Sequence, residues 1–353
     1  MNDRDLCILR YQNIHKSDVV NFLRLKWINL SETDVKNRFE CRFEMNPYSK
    51  PVIFLAYFKD MLVGFRGFVV QHFEVYNELL TVFSPVDAIV HPEFRRLGIF
   101  NKLNKAFIAY LNESVDTSKT IVLNLSSNRY STPGYLKLGW HVTDWKLKFN
   151  FRLSVQNLLR LLLVFKPENK INSRNISYLN YKIEITNQQK RNEMTNLSAD
   201  KEKDKEIISK LRDRAYFHWR YGLKAERHHY VYCYKDDNLM AYLIIKKISR
   251  IHYSVEEYYC LDSVLLKILI KTAVRELHVP VIRLLSINKQ GEILSRALGF
   301  LAEPKLMLKL LRIKRMPCLV RPAKALPTEE DFFIHGLDLR KSVNWELSLS
   351  DYH

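Results

Sequence analysis

The sequence repeats itself in two halves, and this repeat limits the possible folds more than any other feature. In the first half, "FECRF" (39–43) precedes "VIFLAYFKDMLVGFRGF" (52–68). In the second half, "FHWRY" (217–221) precedes "YVYCYKDDNLMAYLIIK" (230–246). Each long apolar, aromatic and β-branched run is interrupted by a short charged turn. The pattern therefore predicts the end of a helix followed by two consecutive strands in each half.

A second pair of segments repeats in the same order. "IVLNLSSN" (121–128) leads to Leu-Gly-Trp at 138–140, and "VIRLLSIN" (281–288) leads to Leu-Gly-Phe at 298–300. The spacing is equal in the two copies, so a strand, a loop, a helix and a glycine-containing exit recur together. Two matches in one order predict a tandem of two similar α/β units.

The length and the repeat together predict the division into domains. A chain of 353 residues is long enough for two domains with separate cores. We expect an N-terminal domain at 1–150, a connecting segment at 151–190, a second domain at 191–315 and a C-terminal tail at 316–353.

The composition limits the classes of partner. Lys and Arg number 56 against 38 Asp and Glu, a formal net charge of +18, which indicates an anionic partner. No nucleic-acid-binding motif accompanies this charge, so we do not expect a nucleic-acid partner. The five cysteines form neither a CxxC pair nor a Cys/His metal pattern, and we expect no metal. With no signal peptide and no apolar run of membrane-spanning length, the expected location is the cytoplasm.

A basic turn lies between a predicted strand and a predicted helix. "TVFSPVDAIV" (81–90) is typical of a strand, and apolar residues follow Gly98 at helical spacing. Arg95 and Arg96 lie just before this glycine, where free N–H groups and the helix dipole favour an anion. The second copy, "YYCLDSVLLKILIKTAV" (258–274), has neither glycine nor basic turn. The sequence therefore predicts an anion site in the first unit alone, with a degenerate second unit that shapes or covers it.

The turn "RRLGIF" resembles the cofactor-binding motif Q/R-x-x-G-x-G/A of the GCN5-related N-acetyltransferases, the GNAT family. Arg95 and Gly98 fit that motif, whereas Phe100 departs from its final Gly or Ala and Arg96 replaces a common glycine. The phrases "NPYSKPVIFLAYFKDMLVGFRGF", "VDAIVHPEFRRLGIFNKL" and "NRYSTPGYLKLGW" are similar to the branch found in bacterial surface-polysaccharide gene clusters. "HWRY" and "NWELSLSD" in the second half extend this resemblance.

The resemblance implies a fold and a co-substrate. The fold would be α/β, with two tandem GNAT-like units, each a mixed and mostly antiparallel sheet flanked by helices. The co-substrate would be acetyl-coenzyme A (acetyl-CoA), with its pyrophosphate on the basic turn and its pantetheine arm against the strand end. Asn128 would hydrogen-bond that arm, or would serve only as a turn residue. The residues expected to bind the coenzyme are Ala88, Ile89, Val90, Arg95, Arg96, Leu97, Gly98, Ile99, Phe100 and Asn128.

Two side chains are candidates for the proton transfers. The resemblance implies that Tyr135 protonates the leaving thiolate, and the matching residue of the second copy is Ser295, which favours a functional role over packing. Asp87 is the leading candidate for the general base, although it could equally be a structural carboxylate. His91 has a suitable ordinary pKa, but "HP" at a strand end is typical of a turn.

The expected reaction is direct transfer of an acetyl group to an amine, with a free, nucleotide-linked or lipid-linked amino sugar as acceptor. One alternative is a Fem-type aminoacyl-tRNA-dependent transferase, which also uses tandem units of this fold. Another is a non-catalytic binding protein. The basic turn argues against the first alternative, and the presence of Gly98 and Tyr135 argues against the second. The apolar stretch "FRLSVQNLLRLLLVFK" (151–166) could contact the inner membrane face peripherally or pack between domains.

Overall fold

The computed structural model describes residues 5–145, 147–163, 173–199, 206–222, 228–260, 262–302, 309 and 317–349. The described strands form two large sheets and one small hairpin, and helices flank the sheets. The α/β class predicted from the repeat is confirmed.

The helices and strands are numbered in chain order. The strands are β1 (Leu6–Arg10), β2 (Val52–Phe58), β3 (Met61–Val75), β4 (Glu78–Val90), β5 (Thr120–Asn124), β6 (His141–Val142), β7 (Lys148–Leu153), β8 (Arg174–Tyr178), β9 (Tyr181–Thr186), β10 (Ile208–Lys210), β11 (His228–Lys235), β12 (Asn238–Lys247), β13 (His252–Cys260), β14 (Val281–Ser286), β15 (Leu301–Ala302), β16 (Leu319–Pro322), β17 (Phe333–Ile334), β18 (Leu337–Asp338) and β19 (Trp345–Glu346). The α-helices are α1 (Lys16–Leu23), α2 (Glu32–Phe39), α3 (Ile99–Ser114), α4 (Thr132–Leu136), α5 (Val155–Leu163), α6 (Arg191–Ala199), α7 (Arg214–Tyr221), α8 (Ser263–Glu276) and α9 (Lys289–Ala297). A π-helix, Glu40–Glu44, continues α2.

The first sheet has the strand order β1–β2–β3–β4–β5–β16–β6, and β10 extends it by pairing with both β3 and β19. Its pairs are antiparallel except for β4–β5 and β10–β19, which are parallel. The charged turn predicted between β2 and β3 is present, and Lys59 in it has a positive φ of 53°. The strand β4 therefore lies between an antiparallel neighbour, β3, and a parallel neighbour, β5.

The second sheet has the order β15–β7–β14–β13–β12–β11–β9–β8. The predicted hairpin of the second half is β11 and β12, and the pair β13–β14 is parallel like β4–β5. Both parallel pairs are joined by a long helix, α3 in the first unit and α8 in the second. The second half therefore repeats the strand arrangement of the first.

The helix exits also match between the units. Gly139 and Gly299 both take a positive φ, 77° and 82°, which glycine adopts without steric cost. The aromatic residue after each glycine donates its N–H to the carbonyl of Tyr135, at 3.3 Å, or of Ser295, at 2.9 Å. Tyr135 and Ser295 therefore occupy equivalent positions, as the sequence repeat predicts.

Each sheet contains a strand from the other half of the chain. β7, from the end of the first half, pairs with β14, and β16, from near the C-terminus, pairs with β5. Arg321 of β16 donates to the carbonyl of Leu138 at 2.9 Å, and Arg152 of β7 donates to the carbonyl of Leu298 at 2.9 Å. The two exchanged strands thus hold equivalent helix exits. The boundaries expected at 150 and 315 remain a prediction; both sheets cross residue 150, and the first sheet also crosses residue 315.

The helices cover the sheets with separate apolar layers. In the first unit, Phe107 of α3 stacks on Phe68 with ring centroids 3.5 Å apart, and both rings are buried. Truncating a phenylalanine buried in this way costs about 3–5 kcal/mol. In the second unit, Leu266, Leu269 and Ile270 of α8 are fully buried against the sheet. This packing fixes the start of α3 relative to the end of β4.

Candidate functional site

The strands β4 and β5 pair over a short length and then part. Their register joins Thr81–Phe83 to Thr120–Val122, while β4 continues to Val90 along its other neighbour, β3. Beyond Phe83, the backbone groups on that edge of β4 therefore have no partner in β5. An extended amide-containing chain could hydrogen-bond to such an edge. The predicted pantetheine segment, Ala88–Val90, lies on this stretch.

A β-bulge interrupts β4 at Asp87. Arg66 of β3 pairs with Ala88, and Gly67 pairs with Val86, so Asp87 has no partner in the register. Its φ is +48°, a conformation that few residues other than glycine, asparagine and aspartate adopt readily. Bulges of this kind turn a strand and redirect its side chains, often beside active sites.

The start of α3 has the features predicted for an anion site. Arg96 and Gly98 have positive φ values of 66° and 75°, and no side chain caps the helix. The turn from Arg95 to Gly98 is exposed. A Cβ placed on Gly98 would meet no atom within 4 Å, so open space lies in front of this backbone. The unbonded N–H groups of the first helical turn can therefore accept a bulky anion.

The helix α4 packs closely on this start of α3. A Cβ on Gly134 would lie 3.1 Å from both the Asn101 Oδ1 and the Phe100 Cε1 atoms. Phe100, the residue that departs from the family motif, contacts the ring of Tyr135 edge-on with centroids 5.2 Å apart. The large residue at 100 therefore supports Tyr135, and the small residue that permits the close approach is found at 134.

Tyr135 is buried and hydrogen-bonded to a buried arginine. Arg66 donates an Nη2 hydrogen bond to the phenol oxygen, and Asn124 also hydrogen-bonds this phenol. Burial raises the pKa of Tyr135 above its ordinary value, although the Arg66 charge and the Asn124 bond lower it in part. The phenol is therefore protonated at neutral pH and can act as a proton donor.

Arg66 is a site residue that the sequence reasoning missed. It lies between two glycines in the apolar strand β3, and its side chain is buried beside Phe68, Phe100 and Tyr135. Burial lowers its pKa from the ordinary value of arginine. Its Nε atom is buried and has no hydrogen-bond partner among the residues that the structure describes. A charged residue inside an otherwise apolar strand was the signal that could have identified it.

Asp87 forms ion pairs with two cations. Lys26 Nζ lies 2.5 Å from its Oδ1 atom, and Arg42 Nη1 contacts its Oδ2 atom. Burial alone would raise the pKa of Asp87, but the charges of Arg42 and Lys26 outweigh it and hold the pKa below the ordinary value. These contacts fit the structural alternative, because a carboxylate with a lowered pKa is a weak base. Its role as general base remains a prediction.

Asn128 and His91 both take part in turns. The Asn128 Oδ1 atom accepts hydrogen bonds from the N–H groups of Tyr130, at 2.9 Å, and Ser131, at 3.1 Å. The backbone N–H of His91 donates to the carbonyl of Val63 at 2.9 Å, while the buried Nδ1 atom of its side chain has no partner within the described part of the chain. The turn interpretation fits both residues, and binding of the pantetheine arm by Asn128 remains a prediction.

In the part of the second unit that the structure describes, the positions equivalent to Gly98 and Tyr135 are built differently. Asp262 caps α8, and its carboxylate accepts a hydrogen bond from the N–H of Val264 at 2.8 Å. The bulge of β13 leaves Glu256 without a partner on the neighbouring strand, just as the bulge of β4 leaves Asp87 without one. Ser295, at the position of Tyr135, is buried and receives a hydrogen bond from Asn150 at 3.2 Å.

Three further expectations from the sequence concern a membrane-spanning helix, a metal site and the apolar helix α5. Within the described ranges, no helix has the length and apolar character needed to span a bilayer. Among the same residues, no cluster of three or more His, Cys, Asp or Glu side chains could hold a metal ion. The helix α5 exposes Val155 by 68% and Leu159 by 54%, while Lys166 lies outside the described residues. Peripheral membrane contact by this segment remains a prediction.

Comparison with known proteins gives a likeness of fold. No protein-family model matches the sequence, and no curated protein sequence matches it. Solved structures do match, over most of the chain. A protein of unknown function from Enterococcus faecalis V583, described as a "Probable N-Acyltransferase", is 10% identical with a TM-score of 0.65, over 93% of this chain and 74% of its own.

Two further structures match in the same way. A GCN5-related N-acetyltransferase from Anabaena variabilis ATCC 29413 is 10% identical with a TM-score of 0.61, over 90% of this chain and 73% of its own. A tandem GNAT protein from the clavulanic acid biosynthesis pathway is 12% identical with a TM-score of 0.54, over 92% of this chain and 100% of its own. At such low identities the likeness is one of fold, and the fold is the one predicted: two tandem GNAT-like units.

Proposed function

We propose that this protein is an N-acetyltransferase that moves an acetyl group from acetyl-CoA to an amine. We further propose that the amine belongs to an amino sugar used in cell-surface polysaccharide synthesis. One observation carries the first proposal: in the first unit, an uncapped helix start, a parted strand pair and a buried tyrosine lie together. The likeness in fold to structures described as acetyltransferases supports it. The amino-sugar acceptor rests on the sequence resemblance.

The coenzyme would be held by backbone and by charge. The N–H groups from Arg96 to Phe100 would bind the pyrophosphate, since that of Arg95 donates to the Pro92 carbonyl, and the guanidinium groups of Arg95 and Arg96 would add charge-assisted hydrogen bonds. The free edge of Ala88–Val90 would bind the pantetheine arm. A backbone N–H of this edge would polarise the carbonyl of the thioester as negative charge develops on its oxygen. The thioester supplies the activated acetyl group.

The protons move through this chain's own residues. When the neutral amine attacks, the new C–N bond replaces the C–S bond, and the departing sulfur takes the proton of Tyr135. The Arg66 cation stabilises the phenolate that this transfer leaves, because their hydrogen bond strengthens as charge appears on the oxygen. The amine loses its own proton to solvent, and the proton returns to Tyr135 for the next cycle. Asp87 in this proposal orients Lys26 and Arg42.

The proposal is tested by coenzyme binding and by thiol release. We expect acetyl-CoA to raise the melting temperature, and amino sugars to release free thiol from it in the presence of the protein. The double variant Arg95→Ala/Arg96→Ala should weaken coenzyme binding about tenfold or more, since two charge-assisted bonds are lost. Lys267→Ala/Lys271→Ala, which removes two exposed charges from α8, is the matched control.

The outcomes separate the alternatives. No stabilisation by acetyl-CoA, together with stabilisation by aminoacyl-tRNA, would favour the Fem-type transferase. Equal weakening by the two double variants would show that net charge, and not the turn at the start of α3, binds the coenzyme.

A further inference from the structure

A group of cations surrounds Asp87 on the side of the first unit formed by α1, α2 and the π-helix. Lys26 lies in the turn after α1, Arg38 in the last turn of α2, and Arg42 in the π-helix. Lys26 and Arg42 contact the Asp87 carboxylate directly, and Arg38 is close enough for its pKa to respond to both Arg42 and Asp87. We call Lys26, Arg38 and Arg42 the cationic cluster.

The cationic cluster has more positive charge than Asp87 can balance. Three cations face one carboxylate, and both oxygens of that carboxylate are already taken by Lys26 and Arg42. Arg38 has no hydrogen bond or ion pair with any described residue, and its guanidinium lies 4.6 Å from the centroid of the Trp27 ring. Burial, and then the neighbouring Arg42 charge, lower the pKa of Arg38. A partly buried cation in this position is stabilised by any anion that reaches it.

Packing from both units holds the π-helix that presents Arg42. Phe43, next to Arg42, lies against Gly67 so closely that a Cβ there would come within 2.5 Å of its Cζ atom. On the other side, the Trp219 Nε1–H of the second unit donates to the Cys41 carbonyl at 2.7 Å. The π-helix that presents Arg42 is a rare conformation, found frequently at functional sites. A cation held in this way binds an anion without losing much side-chain freedom.

The cationic cluster lies beside the proposed point of transfer. Asp87 immediately precedes Ala88, where the thioester-binding edge of β4 begins. The Asp87 charge also acts on the pKa of Arg66, which hydrogen-bonds Tyr135. The cluster packs on the α1–α2 side of the sheet and Tyr135 on the α3 side, so a molecule anchored on the cluster would reach the proposed proton donor past the end of β4. The excess positive charge would also lower the pKa of an ammonium group there, which favours the neutral, attacking amine.

We infer that the cationic cluster binds an anionic group, a phosphate or a carboxylate, on the amine acceptor. This inference rests on the proposed function, because it concerns the second substrate of the same site. Arg38 supplies an unused planar fork of donors, and such a fork matches the oxygens of both groups. Lys26 and Arg42 supply charge at fixed positions around it. The acceptor is accordingly an amine that carries negative charge, and a neutral amine is a poor substrate.

Two matched pairs of amines test this inference. D-glucosamine 6-phosphate is compared with D-glucosamine, and β-alanine with β-alaninamide, by the rate of thiol release from acetyl-CoA. We expect the anionic member of at least one pair to have a kcat/KM about tenfold to a hundredfold higher, and the pair concerned identifies phosphate or carboxylate as the group. Higher kcat/KM for both neutral members overturns the inference.

The variant Arg38→Gln tests whether Arg38 is responsible for the preference for anionic amines. It should raise the KM of the anionic amine about tenfold while changing its kcat much less, so that the preference for the anionic member collapses. Arg24→Gln is the control, since Arg24 lies in the turn after α1 that also carries Lys26, is exposed and pairs with Glu32 at 3.6 Å. An equal loss for anionic and neutral amines in Arg38→Gln contradicts a role in anion binding.

A binding measurement keeps this test separate from the test of the enzyme. If no amine releases thiol, D-glucosamine 6-phosphate and inorganic phosphate are titrated calorimetrically into the protein saturated with coenzyme A. Binding that is lost in Arg38→Gln supports the cationic cluster even then, and no binding overturns it. Absence of any stabilisation by acetyl-CoA overturns the proposed function instead.

Discussion

The two units share a fold but differ at the start of their long helices. In the first unit, Gly98 begins α3 with a positive φ and no side-chain cap. In the second, the Asp262 carboxylate accepts a hydrogen bond from the first turn of α8. The protein's own anion thus occupies the place that the first unit leaves open. The start of α3 is therefore open to an anion from outside the chain, whereas the start of α8 is satisfied by its own carboxylate.

The largest difference expected between the units concerns Tyr135 and Ser295. Tyr135→Phe should lower kcat about a thousandfold, because the leaving thiolate loses its positioned proton donor. Ser295→Ala should leave kcat unchanged, since its hydroxyl bonds within the second unit. Steady-state kinetics of both variants measures this contrast. A small effect of Tyr135→Phe on kcat would mean that Tyr135, like Ser295, contributes only to packing.

The second comparison concerns the two exchanged strands. Arg321 donates to three backbone carbonyls and is buried, whereas the Arg152 side chain makes one such bond in the described part of the chain. Arg321→Met should therefore reduce the free energy of unfolding by about 3 kcal/mol, and Arg152→Met by about 1 kcal/mol. Denaturation with urea, followed by tryptophan fluorescence, measures both. Equal losses of unfolding free energy in the two variants would contradict a greater dependence of the first unit on β16 than of the second unit on β7.

The third comparison exchanges the helix starts. Gly98→Asp would bring a carboxylate to α3, and we expect the KM for acetyl-CoA to rise about thirtyfold by repulsion of the pyrophosphate. Gly98→Asn is the control, since asparagine also tolerates a positive φ but carries no charge. In the reverse exchange, Asp262→Gly should create no coenzyme site and should only weaken the cap of α8. An equal rise of KM in the aspartate and asparagine variants would assign the effect to strain.

The smallest expected effect concerns Asp87 and depends on pH. Its pKa is lowered in the folded protein, so its contribution to stability is present above its unfolded pKa of about 4 and is lost as the pH falls through the folded value. Asp87→Asn should destabilise the protein by about 2 kcal/mol at pH 7, a figure reduced because Lys26 is partly exposed. Melting curves at pH 7 and pH 3 test this. A difference between wild type and variant that is as large at pH 3 would exclude the ion pairs as its cause.

The sequence predicted the parts of this structure that local pattern determines. The hairpins, the strand and helix around Gly98, and the equivalence of Tyr135 and Ser295 all follow from periodicity and from the repeat. A turn glycine can be predicted from its immediate sequence, because a positive φ is a property of the one residue that adopts it. These features therefore appear in short stretches of sequence.

The rest depends on contacts between distant residues. Asp87 pairs with Lys26 and Arg42, which are 61 and 45 residues away, and no spacing rule connects them. Arg66 reaches Tyr135 over 69 residues. The exchange of β7 and β16 could not be predicted either, because each pairs with strands that are distant in the sequence. Which of these distant residues come into contact depends on the tertiary packing.

The exchanged strand β16 has a consequence for the order in which the protein can become active. The first unit is synthesised early, but the neighbour that covers β5 comes from Leu319–Pro322, about 200 residues later. At roughly 5–20 residues per second, that delay is about 10–40 seconds. Until then one edge of the first sheet is open to pairing with other chains. Since Arg321 also holds the helix exit beyond Tyr135, the proposed catalytic unit is completed only after Leu319–Pro322 has been synthesised.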